Sequence, residues 1–198
     1  MRASRPVAYC FKIVIVGGGG AGKTCLFNRY CFNSFNMNTE LTIGINFHST
    51  YLDAKIRERD SPDLKQRCIV NSIFDFGGQE RFKPLIPRFV KGADGALLVF
   101  DSVSYSSFQQ LEYWYELLNK KLKKQIPMIL VGSKSDLLDE ASPMEIVRKD
   151  VIDEFMEQRN LDGFYRTSAL ENYNVLEVFK ALNVQMLEHK QVNNVKLV

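Results

Sequence analysis

The sequence predicts an α/β fold with a six-stranded, mostly parallel sheet and helices on both of its faces. Segments rich in strand-forming residues alternate with segments whose apolar residues recur at the helical period, the order expected of a parallel sheet. Several of the strand segments are nearly continuous apolar runs, as strands buried on both faces are. A length of 198 residues suits one domain with a sizeable core.

Six segments have the composition of strands. The first is almost entirely apolar, and the next two are rich in β-branched and aromatic residues and are predicted to pair with each other. In chain order the six segments are "CFKIVIV", "INFHSTYLDAKI", "QRCIVNSIFDF", "ADGALLVFD", "IPMILVGS" and "GFYRTSA".

Four segments are predicted to be helical. They are "CLFNRYCFNSF", "SSFQQLEYWYELLNKKL", "SPMEIVRKDVIDEFMEQ" and "NVLEVFKALNVQMLEHK". Ser104 is a candidate N-cap for the second helix. Ser142 and Glu145 form a capping-box pattern at the start of the third, and this pattern predicts that the helix begins there. Asn174 with Glu177 resembles a cap for the fourth.

The composition is that of an ordinary soluble globular protein, with 45% hydrophobic and 25% charged residues and a net charge of +3. This charge is too small to indicate nucleic-acid binding. The four cysteines form no CxxC pair, which favours a reducing compartment, and the first ten residues lack the apolar core of a secretory signal. No uncharged run is long enough to span a membrane, so we expect a cytoplasmic protein.

The stretch "GGGGAGKT", from Gly17 to Thr24, lies between the first strand and the first helix. It matches the pattern G-x-x-x-x-G-K-[ST], a phosphate-binding loop whose backbone N–H groups surround phosphate oxygens. In such a loop Lys23 contacts the β- and γ-phosphates, and the Thr24 hydroxyl binds Mg²⁺. The alternative is a glycine-rich turn between strand and helix that binds nothing.

Three further motifs follow the ends of predicted strands. "DFGGQERF" offers Asp75 for a Mg²⁺ shell, the Gly78 N–H for a γ-phosphate and Gln79 for orienting water. In "GSKSD" the Asp136 carboxylate can accept hydrogen bonds from the ring N–H and the exocyclic amine of guanine. In "TSAL" the backbone N–H groups can meet the guanine carbonyl. For "DFGGQERF" in isolation, the alternative of a strand that ends in an Asp-Gly turn is common. The other two motifs are each weak alone.

Together and in this order, the motifs resemble those of the small GTPases of the Ras superfamily, in particular its Rab-like members. There is some similarity to septum-promoting and archaeal Rab-like GTPases. The resemblance extends from Phe11 to about Lys190 and includes "LTIGINF", which is similar to the first switch region of Rab proteins. It implies that Thr42 binds Mg²⁺ through its hydroxyl and the γ-phosphate through its N–H. It also implies that Phe35 packs on the guanine face; the alternative is a loop aromatic buried in the core.

The resemblance implies a P-loop G domain and a full set of site residues. The residues with catalytic roles would be Gln79, Thr42 and Lys23. The metal ligands would be Thr24, Thr42 and Asp75. The residues that bind the nucleotide would be Gly19, Gly20, Ala21, Gly22, Lys23, Thr24, Cys25, Phe35, Thr42, Gly78, Ser133, Lys134, Asp136, Ser168, Ala169 and Leu170.

The function implied by the resemblance is a molecular switch that binds guanine nucleotides, GTP or GDP, and hydrolyses GTP with Mg²⁺ in membrane-traffic or polarity-type signalling. The alternative is a GTP-binding scaffold that hydrolyses slowly or not at all. The implied partners are an exchange factor, an activating protein and effectors that contact the switches. Effector contact would fall on Phe47, Phe74 and Phe89; the alternative is that one or more of these three are ordinary core residues.

Three residues depart from the family pattern, and one of them is Phe74, which stands where Rab proteins usually have Trp. Ser133 stands where the family usually has Asn, and we expect its shorter side chain to weaken the connection to the phosphate loop. Gly77 stands where the family commonly has Ala, and we expect it to loosen the second switch, the region that includes "DFGGQERF".

The resemblance divides the chain into an N-terminal extension (1–9), a G domain (10–190) and a short C-terminal tail (191–198). The spacing between the switches is longer than is usual in Rab proteins, and the excess falls in the charged segment 56–67. An extended hairpin fits this excess best, and a solvated loop without function is the alternative. No cysteine follows Cys68, so we expect no intrinsic membrane anchor in this chain.

Overall fold

The computed structural model of the protein describes residues 6–37, 42–57, 63–78, 84, 86–192 and 195–197. The strands are β1 (Val7–Gly17), β2 (Ile45–Arg57), β3 (Leu64–Phe76), β4 (Gly95–Asp101), β5 (Met128–Ser133), β6 (Gly163–Arg166) and β7 (Val195–Leu197). The helices are α1 (Lys23–Phe32), α2 (Ile86–Phe89), α3 (Tyr105–Gln109), α4 (Leu111–Lys121), α5 (Lys149–Arg159) and α6 (Val175–His189). A short 3-10 helix covers Ser135–Leu137.

The strands form one sheet in the order β6-β5-β4-β1-β3-β2-β7. The pairs among β6, β5, β4, β1 and β3 are parallel, and β2 is antiparallel to β3, so the predicted α/β class and mostly parallel sheet are confirmed. The prediction of six strands was wrong, because the described residues form seven. The additional strand, β7, pairs antiparallel with β2, from Ala54↔Leu197 to Ile56↔Val195.

The sheet separates two apolar cores, as the continuous apolar runs predict. On one face β1, β3 and β4 pack against α1 and α6, whose buried stripe includes Val178, Phe179 and Leu182. On the other face the sheet packs against α3, α4 and α5, with Trp114 fully buried. None of the helices in the described part of the chain is long and apolar enough to cross a membrane.

The strands β2 and β3 form a long hairpin between the two switch motifs. They pair without interruption from Ile45↔Phe76 to Arg57↔Leu64. Both ends of the charged segment 56–67 therefore belong to the hairpin strands, while residues 58–62 lie outside the described residues. At the start of the chain, β1 begins at Val7, within the segment 1–9 that was predicted to be an extension.

The predicted start of the third long helix at Ser142 was wrong, because α5 begins at Lys149. The capping-box residues do interact, since the Ser142 N–H donates to Glu145 Oε2 over 3.0 Å, but they close a turn and not a helix. The helix starts later because Val147 is buried and its N–H donates to the Ser102 carbonyl, 3.0 Å away.

The other two predicted caps had opposite outcomes. The Ser104 side chain accepts a hydrogen bond from the Ser107 N–H, as an N-cap does. The Asn174 side chain makes no capping bond to α6. Its amide instead donates to the Arg166 carbonyl over 3.0 Å, while its backbone is left-handed with φ of 54°.

Candidate nucleotide-binding site

The phosphate loop runs from the end of β1 to the start of α1, as its sequence predicts. Gly20 and Gly22 have φ of 75° and 78°, a conformation that only glycine adopts without strain. A side chain at Gly22 would also collide with Ser133, since its Cβ would lie 2.9 Å from the Ser133 hydroxyl oxygen. The loop therefore presents backbone N–H groups at the N-terminus of α1, where anions bind.

Lys23 is buried, with 5% of its surface exposed, and it carries its ammonium into this loop. The Nζ atom donates to the Gly18 carbonyl over 2.6 Å. Burial lowers the pKa of Lys23 to about 8, and the negative charge of Asp75 partly opposes this shift. A phosphate group in the loop would supply the negative charge that favours the protonated form of this amine.

Three side-chain oxygens meet beside the loop. The Thr24 hydroxyl lies 2.5 Å from the Thr42 hydroxyl and donates to Asp75 Oδ2 over 2.7 Å. The Asn46 amide donates to the same carboxylate oxygen over 3.0 Å. Burial raises the pKa of Asp75, and the hydrogen bond from Thr24 and the charge of Lys23 oppose this shift.

These oxygens fit a magnesium ion. Among the described residues, Asp75 Oδ1 is fully buried without a hydrogen-bond partner, a costly state that a cation or its bound water would relieve. Hydroxyl and carboxylate oxygens are the ligand types that Mg²⁺ prefers. The geometry therefore brings together the three predicted metal ligands, Thr24, Thr42 and Asp75.

The two described glycines of the second switch motif contact the rest of the site through their backbones. Gly78 lies against Gly18 and Gly19, since a Cβ on it would come within 2.6 Å of their backbone atoms. Gly77 donates its N–H to the Gly44 carbonyl over 2.9 Å. Gln79, which follows directly, lies outside the described residues.

Ser133 connects β5 to the phosphate loop despite its short side chain. Its hydroxyl lies 2.8 Å from the Ala21 carbonyl and 3.0 Å from the Phe100 carbonyl, and it can donate to either. Lys134 next to it has a left-handed backbone with φ of 55°, and its ammonium forms an ion pair with Asp101 over 2.7 Å. The connection that we expected Ser133 to weaken is thus present.

Arg29 is a site residue that the sequence motifs did not indicate. It lies on α1, and its guanidinium donates to the Ala169 carbonyl over 2.7 Å and to the Leu170 carbonyl over 3.2 Å. It therefore holds the "TSAL" loop against the helix that follows the phosphate loop. The interaction joins positions about 140 apart in the chain, so no local pattern could have revealed it.

One cavity of about 420 Å³ joins these parts. Every residue predicted to bind the nucleotide lines it, with the exception of Ser168. Ser168 is buried, and its N–H donates to the Tyr173 carbonyl over 3.1 Å. Residues that line the cavity but were not predicted are Leu26, Asn36, Met37, Leu137 and Thr167.

The three predicted effector-contact residues lie in different environments. Phe47 is 56% exposed and contacts the half-buried Phe74, its partner across the hairpin, at a ring-centroid distance of 4.9 Å. The Lys12 ammonium lies 4.6 Å from the centre of the Phe74 ring. Phe89 is 41% exposed at the end of α2.

Comparison with known proteins agrees with this geometry. The model of the Ras family matches residues 12–188. The Ras-related protein RABA4b of Arabidopsis thaliana is 35% identical over 185 residues, which cover 93% of this chain and 75% of the relative. The Ras-related protein RGP1 of Oryza sativa subsp. japonica is 34% identical over 173 residues, which cover 87% of this chain and 70% of the relative. The chain therefore belongs to the Ras family, as a Rab-like small GTPase that binds guanine nucleotides.

Proposed function

We propose that this protein is a molecular switch that hydrolyses GTP to GDP and phosphate with Mg²⁺, in membrane-traffic or polarity-type signalling. The observation that carries the proposal is a cavity lined by the phosphate loop, by Thr24 and Thr42, and by residues of the base-recognition segments "GSKSD" and "TSAL". Asp75 lies beside this cavity and accepts a hydrogen bond from Thr24. A ligand that fills this site has phosphates for the loop, a metal ion for the side-chain oxygens and a base for the base-recognition segments.

Each part of the site has a role in this reaction. Lys23 neutralises phosphate charge from within the loop, and Asp136 accepts the two guanine N–H donors. Thr24, Thr42 and Asp75 would hold the ion, which when bound neutralises charge on the β- and γ-phosphate oxygens. We assign to Gln79 the orientation of the attacking water.

The switch depends on the segment around Thr42 and on Gly78. Both line the cavity beside the phosphate loop, where Thr42 can contact the γ-phosphate and Gly78 can donate its N–H to it. Loss of that phosphate would remove both contacts and release the two segments. The exposed Phe47 and its neighbour Phe74 would then present a different surface to effectors.

Multiple-turnover phosphate release from GTP, with and without Mg²⁺, tests the proposal. Gln79→Leu should keep GTP binding and lose most of the phosphate release, because leucine cannot orient water. Gln158→Leu, at an exposed position on α5, is the matched control and should hydrolyse GTP like the parent.

Two outcomes would contradict the proposal. Unchanged single-turnover hydrolysis in Gln79→Leu would remove Gln79 from the mechanism. Tight GTP binding by the parent without phosphate release would instead support the alternative of a scaffold that acts by partner binding alone.

A further inference from the structure

Gly77 is in unusually close contact with the segment that carries Thr42. A Cβ atom added to Gly77 would lie 2.5 Å from the Thr42 carbonyl oxygen and 3.0 Å from the Gly44 carbonyl oxygen. Real Cβ atoms essentially never approach an oxygen to 2.5 Å, and a backbone carbonyl cannot rotate away as a side chain can. Any side chain at this position would therefore displace the Thr42 segment.

The requirement at Gly77 is for space and not for an unusual backbone conformation. Its φ lies outside the left-handed region, so alanine could adopt the same backbone without strain. Its N–H donates to the Gly44 carbonyl, which fixes the distance between the two segments. In this arrangement the Thr42 hydroxyl lies 2.5 Å from the Thr24 hydroxyl.

We propose that Gly77 is a positioning residue for Thr42: its missing side chain allows the Thr42 segment to close on the metal side of the cavity, and this raises the preference of the protein for GTP over GDP. The inference rests on the proposed function, in which Thr42 contacts the γ-phosphate and the ion. It reverses the expectation that Gly77 loosens the second switch. The family's common alanine would not fit the arrangement seen in this chain.

The test is Gly77→Ala, with equilibrium dissociation constants measured for fluorescent GDP and for a fluorescent non-hydrolysable GTP analogue in Mg²⁺. We expect the affinity for the GTP analogue to fall about tenfold relative to GDP, the ratio that about 1.4 kcal/mol produces. The affinity for GDP should change by less than about twofold, because no γ-phosphate closes the segment in that state. Gly163→Ala in β6 is the control, since a Cβ there would have only ordinary contacts, the nearest at 3.8 Å.

A double-mutant cycle separates positioning from a general packing effect. If Gly77 acts through Thr42, then Gly77→Ala should have little further effect on the GTP-to-GDP affinity ratio in a Thr42→Ala background. Additive effects in that cycle would overturn the inference.

Thermal unfolding of the GDP-bound variant supplies the remaining check. A Gly77→Ala protein that does not fold with GDP would also overturn the inference. The added methyl group would then collide with its neighbours in the GDP-bound protein too, and not only when the Thr42 segment is closed on GTP. If Gly77→Ala binds both nucleotides tightly and with the same affinity ratio as the parent, the role of Gly77 is rejected and the proposed function is not. Failure of the parent to bind guanine nucleotides would reject the proposed function itself.

Discussion

The two ends of the sheet around β1, β2 and β3 are built in different ways. At the phosphate end, buried charged and polar groups such as Lys23 and Asp75 are held by hydrogen bonds of 2.5–3.0 Å. At the other end, the long β2–β3 hairpin is completed by β7, which adds apolar contacts to the core through Val195 and Leu197. The first end holds buried charged groups that a ligand can contact, and the second end stabilises the fold by apolar packing.

This difference implies that substitutions at the two ends should separate binding from stability. Buried charges such as Lys23 are unfavourable in the empty protein and favourable only with an anion present. Edge-strand contacts such as those of Leu197 stabilise the fold whether or not a nucleotide is bound.

The largest expected effect is that of Lys23→Met. We expect it to lower nucleotide affinity by about 100-fold, since hydrogen bonds to charged groups contribute up to roughly 3 kcal/mol. The nucleotide-free and metal-free protein should become more stable, because a pKa lowered from 10.5 to about 8 corresponds to roughly 3 kcal/mol of unfavourable burial. Titration calorimetry and urea unfolding in EDTA measure the two effects.

The pH dependence of unfolding tests whether burial of the Lys23 charge causes the difference in stability. Between pH 8 and pH 10.5 the unfolded chain keeps the Lys23 proton that the folded chain has lost, so Lys23 makes the parent more stable as pH rises through this window. The stability advantage of Lys23→Met should therefore be largest below pH 8 and shrink above it. Lys149→Met, at an exposed lysine, is the control, and an equal gain there would contradict the explanation.

Leu197→Asp tests the opposite end of the hairpin. We expect it to lower the free energy of unfolding by about 1 to 2 kcal/mol, because a charge would replace an apolar side chain packed on the core. GDP affinity should stay within about twofold of the parent, since β7 is remote from the cavity. Lys196→Asp is the matched control: its side chain is exposed and lies opposite Lys55, so the new carboxylate should be tolerated.

A smaller effect is expected at Arg29, which connects α1 to the base-recognition segment "TSAL". Arg29→Ala should speed the release of both GDP and GTP about tenfold, because two hydrogen bonds to the Ala169 and Leu170 carbonyls are lost. Arg29→Lys should release nucleotide nearly as fast, since an ammonium cannot reproduce the paired donors of the guanidinium. Release that is slow in Arg29→Lys and fast in Arg29→Ala would show that charge alone matters.

The sequence by itself determined the parts of this protein whose residues are close along the chain. The phosphate loop could be predicted because its glycines, Lys23 and Thr24 are contiguous and each has a fixed chemical role. The parallel sheet could be predicted because the apolar runs of β1, β4 and β5 are long enough to show their burial. Local spacing was sufficient for both.

Only the tertiary structure decided the features that depend on distant partners. A three-residue strand such as β7 is too short to show an alternating pattern, so its pairing with β2 depends on where the chain returns after α6. Helix α5 begins later than predicted because the Val147 N–H donates to the Ser102 carbonyl and the Val147 side chain is buried in the core. These contacts override the local signal at Ser142. The close approach of Gly77 to Thr42 likewise requires two segments to meet, and a glycine in a sequence does not tell which atom will occupy the space beside it.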